Sequence, residues 1–263
     1  MKRFFLYAMV AAGVLASCSQ SENEGVPGNE PVDLTPSADA ILLSAAAPSV
    51  TVNATRSAGT IGGDGATISN EWSGQKLYIY ACQKDSKTGV TMSDRIADLN
   101  TYALRDEEGT VGTDEQISGV KWKNDESRYF PRSGAYDFFG YYGDDAVTGE
   151  ARTEAMNGTN VLYKSFVING SQDLMIAKAE LSDADKAKLD AEDINKAYSS
   201  YTARREVQPS MKFEHLLTRL VFNIKGMGSS KPENVYVQSI KVKSKTTGKL
   251  VFVYAADANK GIK

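Results

Sequence analysis

The sequence predicts a mainly β chain, a β-sandwich carrying one helical insertion, on three observations. Short segments rich in Tyr, Phe, Val and Ile recur along it, Gly, Asn and Asp separate them, and a single stretch places apolar residues at helical spacing. Strands in succession, without a helix after each, favour a sandwich over a doubly wound sheet. Strand pieces are expected at 41–44 and 50–52, then strands at 75–82, 135–142, 161–168, 173–178, 211–224, 234–243 and 249–255. The helical stretch runs from Ser182 to Tyr198. Ser182 is its N-cap with Asp185 three positions on, and Ala187, Ala191, Ile194 and Tyr198 mark one face.

The first seventeen residues read as an export signal. Lys2 and Arg3 precede an apolar run from Phe4 to Ala16, and small residues lead into Cys18. A helix that spans a bilayer needs about 20 apolar residues, and this run is shorter. Leu15-Ala16-Ser17-Cys18 is similar to a lipobox, which implies cleavage before Cys18 and its acylation with fatty acids such as palmitate. Several acyl chains on one residue would supply the two lipid signals that stable anchoring takes. Ser19 stands where inner-membrane retention uses Asp, and the acidic stretch 21–24 resembles the surface-export tags of Bacteroidetes lipoproteins. The expected address is the outer membrane, facing outward. Residues 19–40, rich in Ser, Glu, Asn, Pro and Gly, read as a tether.

Composition limits the remaining classes. Net charge is −3, so no nucleic-acid partner is indicated; Lys241, Lys243 and Lys245 fall on one face of an expected strand, with Lys249 beyond, and read as a solvated surface. There are two cysteines, and lipidation of Cys18 leaves Cys82 without an intrachain partner, so stability must come from packing. Cys82 lies in an apolar run and reads as a small buried hydrophobe.

No catalytic residue and no metal or cofactor site is expected. His215 is the only histidine, which excludes a two-histidine metal site and obliges any Ser-His-Asp triad to use it. It sits where the alternation of 211–224 changes phase, so a bulge near Leu216-Leu217 is expected, with His215 satisfying backbone groups there. The acidic run 183–193 lacks the Gly and Glu that an EF-hand loop requires, and Asp144-Asp145 reads as a hydrated turn. The glycine-rich 59–65 is followed by no Gly-Lys-Ser/Thr, so a flexible loop is expected there and not a phosphate loop. The aromatic stretch 129–142 is dense. Alternation puts Tyr136, Phe138 and Tyr142 on one face and Phe139 and Tyr141 on the other, as in a strand with both faces covered. The competing expectation is a surface where Tyr129, Tyr136, Tyr141 and Tyr142 stack on a glycan.

Four segments follow the lipobox: 72–81 (WSGQKLYIYA), 129–142 (YFPRSGAYDFFGYY), 173–177 (DLMIA) and 213–222 (FEHLLTRLVF). In this order they resemble the fimbrillin-like family, the type V pilin lipoproteins of Bacteroidales, from Met1 to about Tyr254. The resemblance implies transthyretin-like β-sandwich domains and a subunit, accessory or anchoring component of cell-surface fimbriae used in adhesion, not an enzyme. It implies an arginine-specific protease as partner, which removes the lipidated leader and a first strand. Other fimbrial subunits then become partners by strand addition into the exposed groove. Arg56, with Ser57 after it, stands where that cut is expected, after a strand-like stretch and before a Gly-rich one. Arg204-Arg205 is a poorer candidate between helix and strand. The expected organisation is a signal peptide at 1–17, a lipidated leader with tether and first strand at 18–56, and an N-terminal sandwich domain at 57–263. The family's C-terminal domain is expected to be missing or truncated, which favours an accessory, anchoring or adhesive role over self-polymerisation.

Overall fold

The computed structural model describes residues 38–46, 72–112, 119–218, 220, 222 and 237–263. Its strands are β1 (Ser44–Ala46), β2 (Lys76–Lys84), β3 (Tyr102–Val111), β4 (Val120–Trp122), β5 (Ala135–Tyr142) and β6 (Val147–Met156). They continue with β7 (Thr159–Val167), β8 (Met175–Lys178), β9 (Ser210–Lys212), β10 (Glu214–His215), β11 (Thr247–Tyr254) and β12 (Gly261–Ile262). Three short helices, α1 (Ser93–Ala97), α2 (Asp183–Lys186) and α3 (Ser200–Ala203), complete the elements used below. One antiparallel sheet runs β10-β8-β5-β2-β3-β4, and a second runs β12-β11-β7-β6. β1 and β9 form a separate parallel pair. The chain is mainly β, as expected.

Strand β5 explains the core. All eight of its residues are buried, and its alternation divides them between two clusters. On one face Phe139 and Tyr141 join Tyr80 from β2 with Val161 and Leu162 from β7 and Phe252 from β11, so side chains of both sheets share this cluster. Tyr141 stacks on Tyr78 at 5.1 Å, and Phe252 meets Tyr80 and Tyr141 at 4.8 Å each. On the other face Tyr136, Phe138 and Tyr142 pack with Leu77 and Ile79 of β2, Met211 of β9 and Phe213. That second face is closed by Ile41 and Leu43 before β1, and by Leu189, Ala197 and Tyr198 of the insertion. Each fully buried large side chain contributes about 1.5–3 kcal/mol relative to exposure.

Four expectations need correction. The insertion is not one helix over 182–198. Ser182 does cap it, its Oγ accepting from the Asp185 N–H at 3.0 Å, but α2 ends after one turn. A 3₁₀ turn follows at Ile194–Lys196, and Tyr198 takes a φ of +60°. Leu189 anchors the stretch while Ala187 and Ala191 are exposed, because two methyl groups offer too little area to hold a helix against the sheet. The strand over 211–224 breaks earlier than expected, at Phe213 between β9 and β10, where the chain passes from one ladder to another. Residues 237–243, part of the expected strand 234–243, carry no regular structure, and Lys241, Lys243 and Lys245 are exposed there outside any sheet. Finally β3, β4, β6 and β12 were not expected. β6 reads VTGEARTEAM, a half-exposed edge strand whose polar residues hide its character.

Candidate functional site

Residues 38–46 lie between two stretches distant in sequence, with β1 at their end and the residues before it bonded on both sides. Ile41 and Leu43 are 1% and 0% exposed, which places alternate side chains in the core. On one edge the Ile41 N–H donates to Arg128 O at 2.7 Å, Phe130 N–H donates to Asp39 O at 3.0 Å, and Val120 N–H donates to Leu43 O at 3.0 Å. The Trp122 indole adds a bond to Ile41 O at 3.1 Å. On the opposite edge β1 pairs in parallel with β9, and the Ser44 N–H donates to Pro209 O at 3.1 Å. The Gln208 carboxamide continues that edge, accepting from Leu42 N–H at 3.2 Å and donating to Ala40 O at 3.0 Å. Trp72, in ring contact with Phe213 at 5.3 Å, donates its indole N–H to Ala45 O at 2.9 Å.

An ion pair ties down the start of the segment. The Arg204 guanidinium donates from Nε and from one terminal nitrogen to the two Asp39 oxygens, at 2.7 and 2.9 Å. Arg204 holds the Asp39 carboxyl below its usual range. Ser199 and Thr202 form a reciprocal capping box that fixes α3, and Arg204 follows directly on it. Arg205 stacks on Tyr201 at 3.7 Å, so both arginines of this pair have structural partners.

Cys18, Arg56 and Ser57 lie outside the described residues, as do the expected strand piece 50–52 and the glycine-rich 59–65. Of the tyrosines considered for glycan stacking, Tyr136, Tyr141 and Tyr142 are 6, 2 and 5% exposed, which corrects that expectation for three of the four. Their rings fill the two cores, and only Tyr129 presents itself to solvent. His215 meets the Asp173 carboxylate through Nδ1 at 2.5 Å, fastening β10 beside the start of β8. Cys82 is buried, and burial pushes its thiol up to about 12, so it carries little thiolate at neutral pH. Among the described residues no group of three or more His, Cys, Asp or Glu is arranged to hold a metal ion, and no helix is long and apolar enough to cross a membrane.

Sequence reasoning missed Gln208, Pro209, Trp72 and Trp122. A Gln-Pro pair just before a strand was the available signal for the first two, and the indole N–H of a tryptophan near a core always asks for an acceptor. Neither signal names the partner.

Compared with known proteins, the chain matches the family described as fimbrillin-like over residues 66–258. The matched span contains every stretch that seats 38–46 and leaves out the segment itself. No curated protein and no solved structure matches the chain.

Proposed function

Because the chain belongs to the fimbrillin-like family and so serves as a surface fimbrial protein, we propose that 38–46 is its removable first strand and that Arg56 is the site of removal. The observation that carries this reading is the seating of 38–46. Its backbone is bonded on both edges by residues far along the chain, and its Ala40, Ile41 and Leu43 side chains are buried. Such a strand is held by the same contacts that would hold a strand of another molecule. Arg56 falls between 38–46 and the residues from 72 onward, so a cut there severs the covalent link and leaves only the non-covalent one. On this reading the chain is exported as a lipoprotein on Cys18 and delivered to the outer surface. It is matured by an arginine-specific protease, and it then joins other fimbrial subunits as a structural, accessory or anchoring component.

The test is limited digestion of the full chain by an arginine-specific protease, followed by mass spectrometry. The expected first product starts at Ser57, with the leader ending at Arg56. Resistance, or first cleavage elsewhere, overturns the assignment of Arg56.

A further inference from the structure

The parallel ladder between β1 and β9 starts at Ser44 opposite Ser210. Carrying it backward along the segment would require an N–H from residue 209, and a proline has none. Beyond that break the Gln208 side chain continues the edge in place of main chain. One carboxamide supplies an acceptor to Leu42 N–H and a donor to Ala40 O, the pair of functions that a backbone unit supplies. Both atoms it meets are main chain, so the clamp is indifferent to the side chains at 40 and 42 and demands only an N–H at 42.

Main-chain bonding cannot by itself choose the register. A slip of one residue is prevented by the core, because it would turn Ile41 and Leu43 outward. A slip of two residues brings either Asp39 or Ala45 to a buried place, so the core opposes it in this segment, but in an occupant with large apolar residues at every second position core and ladder accept it equally. What separates those registers is a contact to a particular side chain at the entrance. Arg204 makes that contact in two-point form with Asp39, two positions before Ile41. Ala40 is 2% exposed and needs a small residue, while Leu42 is only partly covered.

We propose that Gln208 and Arg204 are the selectivity elements of this seat, Gln208 gripping the backbone of the occupant and Arg204 reading an acid that sets its register. The ligand class is therefore an extended segment of the pattern acid, small, apolar, any, apolar. This rests on the reading of 38–46 as an exchangeable strand, and it specifies which strands the site accepts.

Two measurements test it. In the uncut full chain, Gln208→Ala, which removes both bonds, and Gln208→Glu, which keeps the acceptor but turns an oxygen toward Ala40 O, are expected to speed hydrogen exchange at Leu42 and Ser44 by severalfold more than at β5 amides. Arg204→Asp is expected to do the same, with recovery when combined with Asp39→Arg. In the chain cut after Arg56 and freed of its leader, a fluorescent peptide of residues 38–46 is expected to bind. Its Asp39→Lys version should bind roughly five- to tenfold more weakly, as a largely exposed charge-assisted pair allows. That order should reverse on the Arg204→Glu protein. Unchanged exchange in the Gln208 variants, or equal binding of the two peptides, overturns the proposal. Failure of the protease to cut at Arg56 sinks the earlier reading alone, because the exchange measurement still decides whether these two residues grip the strand.

Discussion

Asp137 sits inside β5 at 4% exposure, and a buried carboxylate survives only among partners. Lys84 and Lys178 each bring Nζ within 3.3 Å of it, and the Thr91 hydroxyl donates to its second oxygen. Lys84 is equally buried; burial pushes its pKa down while Asp137 opposes the shift. Removing the shared carboxylate would leave a buried ammonium with no counter-charge. Asp137→Ala is therefore expected to lower the unfolding free energy by about 3–5 kcal/mol, read from urea denaturation. The sequence showed this aspartate only as a polar interruption in an aromatic strand. Its partners on β2 and β8 became neighbours through sheet pairing, which no local pattern around residue 137 specifies.

At the scale of elements, β5 is pressed from one face by the stretch after the insertion. Gly140 makes that approach feasible: a Cβ there would lie 2.8 Å from Met211 Cε and 3.0 Å from Ile79 Cδ1. Gly140→Ala should cost about 1–3 kcal/mol by overpacking, measured as a lower denaturation midpoint with an unchanged slope. Strands β2, β3 and β4 are linked at their surface by Glu108, which meets Lys76 at 2.9 Å and Lys123, just past β4, at 3.4 Å. The bond from Lys76 holds the Glu108 carboxyl below its ordinary value of 4.5, with Lys123 adding to the effect. A carboxyl whose folded pKa is depressed contributes stability that is fully present above its unfolded value and is lost as the pH falls through the folded one. Glu108→Gln is thus expected to be less stable than the parent near neutrality and equal to it in acid, in melts across that range. Strand existence was legible where side chains alternate strongly, as in β2, β5, β7 and β11. It was not legible in β3 and β6, whose charged residues pair across strands or face water at an edge, so burial contributes little to their pattern.

For the whole molecule, Ile41 and Leu43 of 38–46 complete one core of the body that follows them in the chain. Ile41 and Leu43 share a cluster with β2, β5 and β9, so release of the segment uncovers apolar surface. Cleavage after Arg56 with the leader still bound should leave the melting temperature nearly unchanged, whereas removal of the leader should lower it. Adding excess 38–46 peptide should restore it in a concentration-dependent way, since a ligand that binds only the folded state stabilises by mass action. Scanning calorimetry on the three preparations checks this.

The sequence by itself determined that the chain is mainly β, that it divides the aromatics of β5 between two faces, and that it resembles the family its match then established. Those properties are written in local periodicity, in the residue types that strands and turns require, and in the order of a few motifs. The tertiary structure alone decided that Arg204 meets Asp39, 165 positions away, and that Gln208 grips the backbone at 40 and 42. It also decided that the tyrosines of the dense aromatic stretch fill cores while Tyr129 faces solvent. The reason is physical. A side chain's period tells which face of a strand it occupies, but the partner across that face is chosen by how sheets and segments pack, a cooperative property of the whole chain.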